Sequence, residues 1–506
     1  MLKVVVVVGT LLFGTAFGGI STGYRKPANP TAIDDQAFVL RNDLDMSELL
    51  PRYDKLKADV APSVHRYNAF WQAYESSAVP SSVQPLDCPP GYEQVPPVPA
   101  MLTSNGGLYN KYRCMLTAQI DQIREFLNVD SELGWESGAI IWCIPPAYRD
   151  PACLGMPSAA AQSAPENFTE AFGIFAQTYQ LLSTSKSGLL QEQVTKAAEN
   201  GTASAQSALD TLGCSCAPRV DALDDYFDFV TFLAQYVPED TSGHFTHYIV
   251  FNEVANAAWF DLSGTSPGSV DVTRQNTPAE VQTWINRYAQ LVQFTHDAIL
   301  QCKLPYPSLI YVSTDRYWGQ PPVFTQWNGN RAHIGSGILV AGLWARLGTK
   351  IDWSLSVHPY GEPTVQEFNG ENGIVDAYTF VTLSQVQEQM AGYFKQYGSG
   401  DPATAPQLWM AATEQGYTSS QYSNEQRAQF LCQIYNITLQ TPKLLWVAMN
   451  DFQDYGGDVY ALLAASVGVN LENSAQSPEY QAFTSSKPVT WGTPNHYCCV
   501  TYRLGC

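Results

Sequence analysis

The chain has 506 residues, 45% of them hydrophobic and only 15% charged, which gives it material for a large core and excludes a disordered acidic protein. Its net charge of −20 repels nucleic-acid phosphate, an anionic membrane surface and a polyanionic polysaccharide alike, so a neutral partner fits best. Length alone suggests about three domains, but a single barrel with long insertions is equally allowed.

The chain opens Met1-Leu2-Lys3, continues with an apolar stretch over 4–13 and then small residues to Gly19. That is the shape of a cleavable secretory signal over 1–19, and a buried first strand is the alternative. There is no other run of about 18 apolar residues, so no transmembrane segment is expected and the mature chain reads as secreted.

From there short apolar runs alternate with amphipathic stretches, the pattern of an α/β fold with a parallel sheet. A first strand is expected over 37–40 with a helix over 46–60, and a second strand over 63–71. A Pro- and Ser-rich insertion over 76–100 and a helix over 111–127 follow. The third strand, 139–144, stops at Pro145-Pro146 and leads into a longer insertion, 147–218, with a helical stretch over 187–212. The remaining strands are expected over 246–252, 308–313, 352–358, 407–413 and 443–449. Helices over 278–301, 335–347, 383–396 and 424–438 separate them. Eight such steps predict a (β/α)8 TIM barrel over 37–455, with insertions after strands 2 and 3 on its active-site face. Residues 456–506 form a C-terminal extension expected to pack on the barrel, pinned by its three cysteines.

Eleven cysteines in an exported chain imply several disulfides and at least one unpaired thiol. Cys143, inside an apolar run, is the expected buried free thiol. Cys88, Cys153, Cys214, Cys216, Cys498, Cys499 and Cys506 lie in turn-rich or terminal segments where disulfides brace loops. Asn167, Asn200 and Asn436 head glycosylation triplets.

Two runs carry the chemistry. His247-Tyr-Ile-Val-Phe-Asn252-Glu253 and Leu408-Trp-Met-Ala-Ala-Thr413-Glu414 are each a short apolar stretch ending in a carboxylate where the chain turns outward. Carboxyl ends of barrel strands hold catalytic groups, and two carboxylates facing one cleft are the minimum needed to cut a glycosidic bond. With Arg66 on the second strand, His358-Pro359-Tyr360 after the sixth and Thr413-Glu414-Gln415-Gly416-Tyr417 after the seventh, the pattern resembles clan A glycoside hydrolases from about residue 37 to 455. The resemblance implies Glu253 as general acid/base and Glu414 as nucleophile of a retaining enzyme. It implies Asn252 as a sugar 2-hydroxyl ligand and Tyr360 as the residue orienting the nucleophile. His358 either shares that task, binds sugar or is structural. Arg66 either keeps Glu414 ionised or makes an ordinary core ion pair.

The eighth strand departs from the clan pattern, because Trp446 falls mid-strand and reads as core. Asp451 and Asp454 are candidate sugar ligands instead, and Trp71, Trp259, Trp318 and Trp327 are candidate stacking platforms. No motif for a metal, nucleotide or other cofactor is found, and Gly335-Ser336-Gly337 reads as a turn. The expected function is a secreted retaining β-glycoside hydrolase acting on a neutral polysaccharide or oligosaccharide, most closely a β-glucan. A transglycosylase on the same scaffold and a non-catalytic carbohydrate-binding surface protein remain open.

Overall fold

The computed structural model describes residues 19–27, 31–34, 63–75, 81–97, 111–154, 216–257, 259–274, 276–319, 332–365, 377–417, 421–449 and a few isolated positions elsewhere. Its strands are β1 (Thr31–Asp34), β2 (Val64–Phe70), β3 (Tyr92–Val95), β4 (Arg113–Leu116) and β5 (Glu136–Trp142). They continue with β6 (Phe245–Val250), β7 (Leu309–Thr314), β8 (Ser354–Val357), β9 (Met410–Ala412) and β10 (Leu444–Met449). All but β3 and β4 close a parallel barrel in the order β1-β10-β9-β8-β7-β6-β5-β2, in which each strand pairs with its successor in the chain. This is the (β/α)8 architecture expected from the sequence.

Every residue of β2, β6 and β7 is buried. Inward side chains fill the barrel and outward ones lie under helices, so both faces of these strands are covered, and the polar residues they carry, such as His65, Arg66 and Asn68 in β2, are buried with the apolar ones. The longer α-helices among the described residues are α1 (Thr117–Leu133), α2 (Leu223–Thr231), α3 (Pro278–Cys302), α4 (Ser336–Leu347), α5 (Leu383–Tyr397) and α6 (Asn424–Gln440). Their ends follow local chemistry. Thr277 and Glu280 form a reciprocal capping box at α3, Ser423 and Gln426 another at α6, and Gly134 closes α1 in the left-handed conformation.

Two expectations need correction. The first strand is Thr31–Asp34, not 37–40, so the barrel begins before residue 37. Ala32 and Ile33 are its only apolar residues, and they suffice because β10 and β2 pair with it on both sides. The stronger apolar run over 37–40 lies outside the described residues. Cys143 is disulfide-bonded rather than free. It stands just past the end of β5 at φ 57°, outside the strand run that suggested a core thiol. Among the described residues the free cysteine is Cys302, half-buried at the end of α3.

Other disulfides join Cys88 to Cys114, Cys153 to Cys216 and Cys432 to Cys498. The sequence reading also passed over the antiparallel β3–β4 hairpin and α2, although Leu223, Tyr226, Phe227 and Val230 carry a helical period. The signal segment 1–18, the helical stretches over 46–60 and 187–212, most of the extension 456–506, and Cys214, Cys499 and Cys506 lie outside the described residues.

At the end of the barrel where strands begin, residues 19–27 lie across the opening. Ser21 donates to Asp352 from both its amide and its hydroxyl (2.9 and 2.7 Å), and the Tyr24 hydroxyl donates to Glu136 (3.1 Å). Tyr24 also meets His247 edge-on and lies against Trp409. Trp446 is fully buried against His247 and Tyr311, as its mid-strand position suggested.

Candidate active site

Past the last residue of β6 the chain makes a tight turn in which Phe251 and Glu253 both take positive φ, 59° and 37°. Neither residue is glycine, so this backbone is strained by about 1–3 kcal/mol per position, a cost that surrounding structure must offset. It does so directly. The Glu253 amide donates to the Ser313 hydroxyl (3.0 Å), the Val254 amide to the Ser313 carbonyl (3.3 Å), and the Trp284 indole to the Val254 carbonyl (2.8 Å). The turn points Glu253 to the mouth, 6% exposed.

Glu414 arrives just past the end of β9 and is 7% exposed. Arg66, reaching inward from β2, donates to its Oε1 (2.8 Å) and to the Thr413 carbonyl (3.1 Å). The Tyr360 hydroxyl donates to its Oε2 (3.1 Å). His358, fully buried beyond β8, sits between the two glutamates. Its Nδ1 is 2.8 Å from Glu253 Oε1 and 3.4 Å from Glu414 Oε2, and its Nε2 is 3.0 Å from the Thr413 hydroxyl. One oxygen of each glutamate and one His358 nitrogen all lie within 4.8 Å of one another.

The two carboxylates are held in opposite proton-affinity regimes. Burial raises the pKa of Glu253, and the nearby charges of Asp315 and Glu414 push the same way, outweighing His358. Burial pushes Glu414 up as well, but the His358 and Arg66 charges, with the Arg66 and Tyr360 hydrogen bonds, win and hold it below the ordinary carboxylate value. Burial disfavours the His358 cation, yet the charges of Glu414 and Glu253 overcome it and raise its pKa.

Three ligand atoms this close are also a geometry a cation could use. The Arg66 guanidinium against Glu414 opposes a second positive charge there, and both imidazole nitrogens already have partners. The donor set favours proton exchange over a cation cage.

Arg66, Asn252, Glu253, His358, Tyr360 and Glu414 thus gather at one end of the barrel. Asn252 is 3% exposed and its Oδ1 has no hydrogen-bond partner among the described residues. His358 bonds the expected acid/base rather than chiefly the nucleophile. Trp318 does not form a platform: it is buried, donates to Gln389 and packs edge-on against Tyr378. Trp71 is likewise buried, stacked on Tyr148 and Phe229. Trp259 is half-buried, its ring tilted against Trp142. Asp451, Asp454 and Trp327 lie outside the described residues. Sequence reasoning missed Thr413 as a His358 partner, Ser313 as the brace of Glu253, and Asp315. The last had a signal, since it too is a carboxylate just past the end of a strand, Leu309–Thr314.

No family model matches the chain, and no curated protein matches it. Solved structures similar to it include a family 39 glycoside hydrolase from Bacteroides cellulosilyticus, 13% identical, with a TM-score of 0.43; the match covers 90% of this chain and 63% of that one. A β-glucosidase from Pyrococcus furiosus is 12% identical over 94% of this chain and 98% of that chain, with a TM-score of 0.44. A broad-specificity endoglucanase from Clostridium acetobutylicum is 9% identical over 90% and 96%, with a TM-score of 0.40. These likenesses are weak, and the barrel rests on its own strand pairing.

Proposed function

We propose that the chain is a retaining β-glycoside hydrolase acting on a neutral polysaccharide or its oligomers, β-glucan-like in class. The observation that carries this reading is a pair of buried strand-end carboxylates, an oxygen of one within 4.8 Å of an oxygen of the other, pushed to opposite proton affinities. Retaining enzymes set their carboxyl groups about 5–5.5 Å apart, whereas inverting enzymes leave about 6.5–9.5 Å for a water.

In the first step a Glu414 oxygen attacks the anomeric carbon as the bond to the leaving oxygen breaks, and Glu253 delivers its proton to that oxygen. In the second, Glu253 takes a proton from water, whose oxygen attacks the same carbon and releases the Glu414 carboxylate. Arg66 and Tyr360 keep Glu414 ionised and aimed. His358 steadies Glu253 as it alternates between acid and base. Asn252, whose carbonyl oxygen has no hydrogen-bond partner among the described residues, is the residue proposed to accept from the sugar 2-hydroxyl. The net charge of −20 supports a neutral glycan, because a polyanionic one would be repelled.

Export is part of the same reading. It is supported by the Lys3-led apolar segment and by the disulfides, which persist in oxidising compartments. No described helix is long and apolar enough to cross a membrane. Mature chain is expected to begin near Gly19.

The test is a screen of purified protein on neutral β-glucans, mannans and galactans, with Glu414→Gln as control and the product anomer followed by proton NMR. Release of β-product first, abolished in the control, is expected. Release of α-product from a β-linked substrate, or full activity in the control, overturns the reading.

A further inference from the structure

The segment 19–27 is fixed at its first residue by a contact that only glycine allows. A Cβ built on Gly19 would overlap Asp352 Oδ2 and stand 2.7 Å from its Oδ1 and Cγ, so the Gly19 Cα already lies against that carboxylate. Asp352 stands two residues before β8 and is half-buried. Its Oδ2 accepts from the Ser21 amide (2.9 Å) and the Ser21 hydroxyl (2.7 Å), both neutral donors. Among the described residues no Lys, Arg or His pairs with it.

The backbone around Gly19 is tied down on both sides. The Thr22 amide donates to the Gly19 carbonyl (3.0 Å), and the Ser308 amide, just before β7, donates to the Ile20 carbonyl (2.8 Å). The Tyr24 hydroxyl reaches Glu136 at the start of β5. Gly19 is thus held against the strand-start end of the barrel, yet it is itself exposed. In the sequence it follows Ala16-Phe17-Gly18, which puts small residues one and three places before it, the pattern of a secretory cleavage site.

We propose that a secretory peptidase cuts between Gly18 and Gly19, and that the α-ammonium freed on Gly19 becomes the cationic partner of Asp352, anchoring the mature N-terminus across the base of the barrel. The proposal rests on the export reading above and adds a cut position and a use for the new terminus. Hydrolysis consumes one water: the C–N bond between Gly18 and Gly19 breaks, the released segment ends in the Gly18 carboxylate, and Gly19 keeps its nitrogen as an ammonium. That nitrogen is bonded to a Cα already in contact with Asp352. Freed from its peptide bond, it turns about the Cα–C bond until an N–H meets Oδ1, the oxygen that Ser21 leaves open. A cut after Ala16, where Gly14 and Ala16 are also small, would leave Phe17 and Gly18 ahead of Gly19 and carry the charge away from Asp352.

The test uses protein expressed with its own N-terminus in a secreting host and purified from the medium. N-terminal sequencing and intact mass are expected to give Gly19 as the first residue. The pKa of its α-amine is read from the pH dependence of trace acetylation, followed by mass spectrometry of the N-terminal peptide. In folded protein it is expected about 0.5–1 unit above the value in urea, which should be the ordinary α-amino value of about 7.7–8.0. Asp352→Asn, which can still accept from Ser21, should return the folded value to the ordinary one. Should that variant fail to fold, the comparison of folded and urea-unfolded wild type decides alone. An α-amine that titrates equally in both states, or a shift that survives Asp352→Asn, overturns the pairing. A first residue other than Gly19 overturns the cut position. Intact Met1 overturns the export reading, and the pairing is then decided by the same titration on chain released from an N-terminal fusion with Gly19 first.

Discussion

Glu253 and Glu414 are chemically identical side chains in one buried cluster, and in the proposed mechanism only their neighbours divide the labour between them. Glu414 has a guanidinium and a phenol on its oxygens, while Glu253 has an imidazole and a nearby carboxylate charge. Glu253→Ala is expected to slow cleavage of poor leaving groups by about 10²–10⁴-fold, the usual worth of general acid–base help, and to spare activated aryl glycosides in the first step. Azide should then intercept the glycosyl-enzyme and give a product of retained configuration. Glu414→Ala should abolish turnover of both substrate classes. Steady-state rates on a leaving-group series separate these outcomes, and activity retained by Glu414→Ala but lost by Glu253→Ala reverses the roles. The pH dependence follows from the same directions. The proposed mechanism needs Glu414 ionised and Glu253 protonated. Activity should be lost as pH falls through the lowered pKa of Glu414 and as pH rises through the raised pKa of Glu253. The optimum should span the ordinary glutamate value of about 4.3 and extend to both sides of it. A pH–rate profile with both limbs above or both below that value contradicts the assignment.

At the scale of elements, the site exists because strand ends and helix starts are fixed by local chemistry. The capping box at α3 is an example. Thr277 accepts from the Glu280 amide (3.3 Å), and Glu280 accepts from the Thr277 amide (2.8 Å) while Arg274 pairs with it; hydrogen bonds from Arg274 and Thr277 bring its pKa to about 2. Thr277→Ala should lower unfolding free energy by about 1 kcal/mol, measured by denaturant titration, with no change in pH profile. The box was written plainly in the sequence as Thr277-Pro-Ala-Glu280, and α3 appears where periodicity put it. Long, strongly periodic segments and apolar strands bounded by turn residues were legible in this way. β1 was not, because a four-residue strand owes its place to the neighbours that pair with it rather than to its own composition. Of the hairpin, β3 was hidden inside the Pro-rich stretch and β4 inside the span expected as a helix over 111–127, where the helix starts only at Thr117. Among site residues, those on strand-end motifs were legible. His358 bridging both glutamates and Ser313 holding the Glu253 amide were not, because each depends on contacts between segments far apart in the chain. Trp318 misled for the opposite reason. A Trp near a strand end gives no hint of which way its ring turns, and here it turns into the core.

Across the whole molecule the barrel separates chemistry from stability, with the glutamates at the end where strands finish and the segment 19–27 across the end where they start. There the Tyr24 hydroxyl donates to Glu136, which also meets His247 Nε2 at 2.6 Å, and the Tyr24 ring packs on His247 and Trp409. Burial pushes the Glu136 pKa up, but the hydrogen bonds and charge of His247 together with the Tyr24 bond win and leave it below its ordinary value. A carboxylate with a lowered folded pKa contributes stability that is fully present above its unfolded value of about 4.3 and is lost as pH falls through the folded one. Tyr24→Phe removes one donor and keeps the ring, and should cost about 1 kcal/mol. Tyr24→Ala also removes the packing and should cost about 2–4 kcal/mol. The part of the cost that comes from the Glu136 bond should shrink as pH falls through the lowered pKa of that carboxylate. Neither change touches Arg66, Glu253, His358 or Glu414, so kcat and both limbs of the pH profile should match the unaltered chain once folded protein is normalised. Denaturant titration at pH 7 and pH 3.5, with rates measured in parallel at a temperature where every variant is folded, checks both halves of the claim. A fall in kcat with unchanged stability shows that the closed end of the barrel communicates with the glutamates, and the separation of faces does not hold.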